Sequence, residues 1–120
     1  MSAFSTRAES DVLLISFDSS AVLNDFRNNT LRDSLYELVQ AQPHPRLAAN
    51  LSNVDFLSSS GISILVGLKK RVQARGGDIV LYQLQPVVRD VLAVMQLDRF
   101  FTIVPDEQNA LASFPPLRTA

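Results

Sequence analysis

The chain has 120 residues, 47% of them hydrophobic, which suits one domain built around one continuous core. Its 11 basic residues are scattered among 12 acidic ones for a net charge of -1, so no cationic stripe is available to a phosphate backbone and direct nucleic-acid binding is not expected. With no cysteine and a single histidine, a disulfide framework, a thiolate metal site and a multi-histidine metal centre are all excluded, and no metal or cofactor is expected.

The segment Met1 to Arg7 has no apolar stretch following a basic one. No run approaches the roughly 18 apolar residues that cross a bilayer. A soluble, uncleaved, cytoplasmic protein without membrane insertion is therefore expected, as a single domain over 1–120 with frayed ends near 1–3 and 115–120.

Phe4 to Ala8 and the β-branched run Val12 to Phe17 read as an opening hairpin joined through Glu9-Ser10-Asp11. From about Asn29 to Gln42, Leu31, Leu35, Leu38 and Val39 recur at helical spacing, with Asn29 or Thr30 available as a cap and Pro43 as a stop. Arg46 to Leu51 reads as a strand. Gly61 to Arg75 reads as a helix carrying Ile64, Leu65, Leu68 and Val72 and ended by Gly76-Gly77. Ile79 to Leu84 is the next strand, and Pro86 opens a helix containing Val87, Val88, Val91, Leu92 and Met95. Phe100 to Val104 is a short last strand, and Asp106 to Phe114 a last helix. Strands alternating with helices after a hairpin require right-handed crossovers. The expected fold is α/β: a mixed, mostly parallel sheet of about four to five strands covered by about four helices.

Working sites of open α/β sheets gather at the carboxyl ends of strands, where the next helix presents unpaired N–H groups. Ser58, Ser59 and Ser60 fall at such a junction. One serine suffices to cap a helix, because its oxygen accepts from a first-turn N–H. Three serines followed by Gly61 exceed that need, and a glycine there lets a foreign group approach without a Cβ in its way. A phosphate on one of them would meet the positive end of the helix dipole, so the fold should tolerate it, whereas a partner would see a new dianion.

The stretch Asn50-Leu51-Ser52-Asn53-Val54-Asp55-Phe56-Leu57-Ser58-Ser59-Ser60-Gly61-Ile62, followed by Gly76-Gly77-Asp78-Ile79-Val80-Leu81, resembles the sulfate transporter and anti-sigma factor antagonist (STAS) domain. Pro86-Val87-Val88 and Met95-Gln96-Leu97-Asp98-Arg99-Phe100-Phe101 extend the likeness over nearly the whole chain, and it is nearest to the stand-alone anti-sigma factor antagonists. In that family the usual motif is aspartate, serine, serine or threonine, then glycine. The serine after the aspartate is phosphorylated by an anti-sigma factor with serine kinase activity. Aligning Gly61 with the motif glycine implies phosphorylation at Ser59, with Ser58 and Ser60 as lesser candidates, and puts Ser58 where the aspartate usually stands.

The resemblance further implies a partner-switching regulator of transcription that catalyses nothing itself. Its contact surface would comprise Asp18, Ser19, Ser58, Ser59, Ser60, Gly61 and Ile62, and a serine phosphatase would reverse the modification. Two other readings stay open. One is an unphosphorylated STAS scaffold in a larger signalling or transport assembly. The other is a serine-nucleophile enzyme, which lacks an identifiable base.

Elsewhere the residues have plain readings. Asp18, Ser19 and Ser20 suit a polar loop, and Asp55 with Asp18 or Asp25 has no spacing that would pair the carboxylates. His44 sits in a turn between prolines, Gly76-Gly77 suits a helix end, and Lys69, Lys70 and Arg71 suit a solvated helix face.

Overall fold

The computed structural model describes residues 4–9, 11–19 and 29–114. The expected frayed ends, and the residues Ser10, Ser20 and Asp25 named above, lie outside the described residues. Strands β1 (Phe4–Glu9) and β2 (Val12–Phe17) form an antiparallel hairpin in the register Phe4↔Phe17 to Glu9↔Val12. The turn carries Asp11 at φ 65°, a left-handed position that Asp adopts more readily than most residues. Then follow α1 (Asn29–Gln40), β3 (Arg46–Asn50), α2 (Ser59–Ala74), β4 (Asp78–Tyr82), α3 (Pro86–Val94), β5 (Thr102–Val104) and α4 (Glu107–Ala112).

The sheet order is β1-β2-β3-β4-β5, and every pair after the hairpin is parallel. Successive right-handed crossovers that always step in one direction put their helices on one face. The main core shows this: Ile15, Phe17, Leu47, Ala49, Ile79 and Leu81 from the sheet pack against buried residues of all three crossover helices. The opposite face carries Val12, Leu14, Ala48, Val80 and Tyr82, covered by Ala110 of α4. Period-2 alternation thus serves two layers of unequal size, which is why β3 and β4 read as nearly continuous apolar runs.

Element ends differ from the sequence expectation in ways the chain explains. Helix α1 stops at Gln40, three residues before Pro43, whose ring disfavours helical conformation in the residue before it. The last strand starts at Thr102, because Phe100 and Phe101 donate their backbone N–H groups to Leu97 in the turn after α3 and their rings meet edge to face at 5.0 Å. Met95 caps α3 rather than belonging to it.

Helix α2 closes in a Schellman turn. Gly76 N donates to Gln73 O and Gly77 N to Val72 O, with Gly76 at φ 78°. Gly77 has a separate constraint: a Cβ there would run into the backbone of Pro45, whose carbonyl accepts from Asp78 N at 3.0 Å.

The basic run on α2 is not one solvated face. Lys70 and Arg71 are exposed, but Lys69 is 5% exposed. Its stem lies in the core-facing stripe, its ammonium is 3.5 Å from Asp78 Oδ1, and the Phe100 ring centroid is 5.3 Å away. A long aliphatic stem with a partnered head can occupy a position that charge alone assigns to solvent.

Candidate functional site

Because β2, β3 and β4 run parallel, Ser16, Asn50 and Tyr82 stand side by side in one register and the three following loops leave from one edge. The loop after β2 contains Asp18, exposed, and Ser19, half-buried. The loop after β3 runs from Leu51 to the serines, and the one after β4 leads through Gln83 to Gln85 at the cap of α3.

Ser58 takes extended backbone angles (φ -87°, ψ 171°), and its Oγ accepts from Gly61 N at 3.2 Å while its carbonyl accepts from Ile62 N at 3.0 Å. It is the N-cap. Helix α2 therefore begins at Ser59, two residues before the expected start at Gly61, and Ser59 and Ser60 lie in its first turn. Aspartate and serine cap about equally well. Ser58 thus does the capping that an aspartate could equally do, without placing a negative charge beside Ser59. Replacement of Ser58 by alanine should cost about 1 kcal/mol of stability, read from denaturant unfolding, because the Gly61 N–H loses its partner. The same substitution at exposed Ser59 should cost little.

Ser59 is exposed, Ser60 is half-buried, and Gly61 and Ile62 are buried, Ile62 in the main core. The outward surface of the expected contact set is thus carried by Asp18 and Ser59, with part of Ser19, Ser58 and Ser60. Phe56, which the sequence reading did not single out, is 49% exposed three residues before Ser59. No acidic residue lies in the first turn of α2, so nothing there offsets the positive end of the helix dipole.

The loop is tied down by side-chain amides that the sequence reading also passed over. Asn50 Oδ1 accepts from Ser52 N at 2.9 Å, Asn53 Nδ2 donates to Phe17 O at 3.2 Å, and Gln85 Nε2 donates to Ser52 O at 2.8 Å. An asparagine at each end of Asn50-Leu51-Ser52-Asn53, where the strand gives out, was the available signal, since Asn favours turns closed by its own side chain. Beside Asn50, the Tyr82 phenol faces Glu107 Oε1 at 3.5 Å, and Glu107 also binds Arg7 at 2.7 Å. Burial, reinforced by the Glu107 carboxylate, pushes the Tyr82 phenol up from its ordinary value.

His44 is next to Gly76, at the edge where β3 and β4 begin, so the chain's one imidazole lies across the sheet from the serines. Asp18 and Asp55 are both exposed. Among the described residues no group of three or more His, Asp or Glu is arranged to hold a metal. Nor is any helix among them long and apolar enough to cross a membrane.

Among the described residues, five strands in sequential order, three helices on one face, one of them serine-headed at the carboxyl edge, and a fourth helix on the other face define a mixed α/β domain. The chain belongs to the STAS domain family, whose model matches residues 3–110. It is 26% identical over 92 residues to an anti-sigma F factor antagonist of Paenibacillus polymyxa, spanning 77% of this chain and 79% of that protein. Its fold superposes with a TM-score of 0.80 on an anti-sigma-factor antagonist (STAS) domain protein from Planctomyces limnophilus, at 23% identity over 92% of this chain and 96% of that one. It also superposes with a TM-score of 0.65 on the Bacillus cell fate determinant SpoIIAA in its phosphorylated form, at 16% identity over 92% of this chain and 98% of that one.

Proposed function

We propose that the protein is an anti-sigma factor antagonist: unmodified, it binds an anti-sigma factor with serine kinase activity and so frees a sigma factor for transcription. Phosphorylation of Ser59 switches the binding off. The observation that carries this is the division of labour at the helix start, where Ser58 is used up as the cap and the neighbouring Ser59 stands exposed. The family membership and the name of the Paenibacillus relative support the same reading, as does the existence of a phosphorylated form of SpoIIAA, which shares the fold.

The protein acts as a substrate and a ligand rather than as a catalyst. The kinase transfers a phosphoryl group from a nucleoside triphosphate to Ser59 Oγ, and a serine phosphatase returns the hydroxyl. The docking surface is the carboxyl edge with Asp18, Ser19, the serines and, in addition, Phe56, and the setting is the cytoplasm. Catalysis at Ser59 itself is disfavoured by the distant imidazole, since a serine nucleophile needs an adjacent base.

Mass spectrometry of protein purified from its native cells should find phosphate on Ser59, and an affinity pull-down should retain a kinase-type anti-sigma factor only with the unmodified form. A second reading, an unphosphorylated scaffold using the same edge, is favoured by the missing carboxylate at Ser58. It predicts partner capture with Ser59 unmodified under every growth condition.

A further inference from the structure

Three side-chain amides, from three separate places in the chain, converge on the turn just before the serines. Asn50 ends β3, Asn53 sits in the turn, and Gln85 caps α3. Each bonds to a backbone atom: Ser52 N, Phe17 O and Ser52 O respectively. Two backbone bonds complete the turn, Leu51 N to Tyr82 O at 3.1 Å and Val54 N to Leu51 O at 3.0 Å. The turn is thereby fastened to the carboxyl ends of β2 and β4 as well as to its own strand. Beyond it, buried Val54 and Leu57 anchor the chain on either side of exposed Asp55 and Phe56.

None of the three amides belongs to either apolar core. All of them satisfy backbone groups at a sheet edge that would otherwise be left to water. We infer that Asn50, Asn53 and Gln85 are positioning residues that hold Leu51–Val54 in a single conformation and so preorganise the ridge Asp55–Ser59 for its partner. The inference rests on the functional reading above for the identity of that partner. A preformed ridge spares the complex the cost of ordering a loop, so these residues act on affinity without touching the partner. The ties are charge-neutral, so the device is insensitive to pH where carboxylates and histidine titrate.

The test is the double variant Asn53→Ala, Gln85→Ala, which cuts the ties to β2 and to the start of α3 without adding charge. Amide hydrogen exchange of residues 51–58 should rise on the order of tenfold, as expected for two lost hydrogen bonds of modest net strength, while amides in the middle of β2 and β4 exchange as in wild type. Affinity for the purified anti-sigma kinase of the same cells should fall by a similar factor. Unchanged exchange over 51–58 overturns the inference, and so does faster local exchange with wild-type affinity. A wild-type protein that does not bind the kinase defeats the functional reading instead, and the exchange experiment still decides whether the turn is held. Gln85→Ala alone, which removes only the bond to Ser52 O, serves if the double variant does not fold.

Discussion

Ser59→Glu should bind the anti-sigma kinase about 100-fold more weakly than wild type while melting within a few degrees of it, the binding loss corresponding to about 3 kcal/mol. The two halves of that result have separate causes. Ser59 is the first residue of a 16-residue helix whose first turn carries no acid, so a carboxylate there meets the positive end of the dipole and is stabilised by about 0.3–1 kcal/mol. In a complex the same charge would be buried against a surface selected for a neutral hydroxyl, and an uncompensated buried charge costs several kcal/mol. Ser59→Ala removes the proposed acceptor hydroxyl without adding charge and should bind as wild type. Calorimetric titration beside thermal melts gives both readings, and equal affinities for Ser59→Glu and Ser59→Ala would dismiss the electrostatic switch.

Gly77→Ala should destabilise the fold by about 3 kcal/mol, the upper end of the usual cost of forcing extra atoms into a packed site. For a domain of this size that lowers the melting temperature by roughly 12 °C. The added Cβ would strike the Pro45 carbonyl and also come within 3 Å of its carbon and nitrogen, so backbone rather than a pliable side chain must yield. The displaced segment leads directly into β3, and the Asp78 N to Pro45 O bond that aligns β3 with β4 would be strained with it. Gly76→Ala is the comparison: there the penalty is the left-handed φ of 78°, worth roughly 1–2 kcal/mol, and the nearest neighbour is the His44 side chain rather than backbone. Urea unfolding of the two variants should rank Gly77→Ala as the more damaging, and the opposite order would show that the Pro45 segment can give way.

The parallel layers were legible because their signals are local. Pro43, Gly76-Gly77 and Pro86 mark boundaries, and β-branched runs such as Val12–Phe17 mark strands. The family likeness then pointed to Ser59. What could not be read were features in which distant residues meet. Lys69 looked solvated beside Lys70 because nothing local says that Asp78 and the Phe100 ring will surround it. The amide ties were invisible for the same reason: Asn53 and Phe17 are 36 positions apart, and Gln85 and Ser52 are 33 apart. The helix start was misplaced by two residues because Ser58, Ser59 and Ser60 are equally good caps on paper. Only the backbone path out of Leu57 decides which one turns its oxygen toward Gly61.

The direction of α4 has a practical corollary for anyone tethering this protein. Glu107, at its start, meets Tyr82 beside the carboxyl edge, whereas Phe114, just past its end, lies 5.3 Å under the guanidinium of Arg46, the first residue of β3. The helix thus runs back across the sheet and sets Phe114 on the side away from the serines. Phe4, paired with Phe17, instead lies at the same end of the sheet as the serines. A fluorophore or bead attached at position 114 therefore sits away from the proposed docking edge, and the same cargo at position 4 sits beside it.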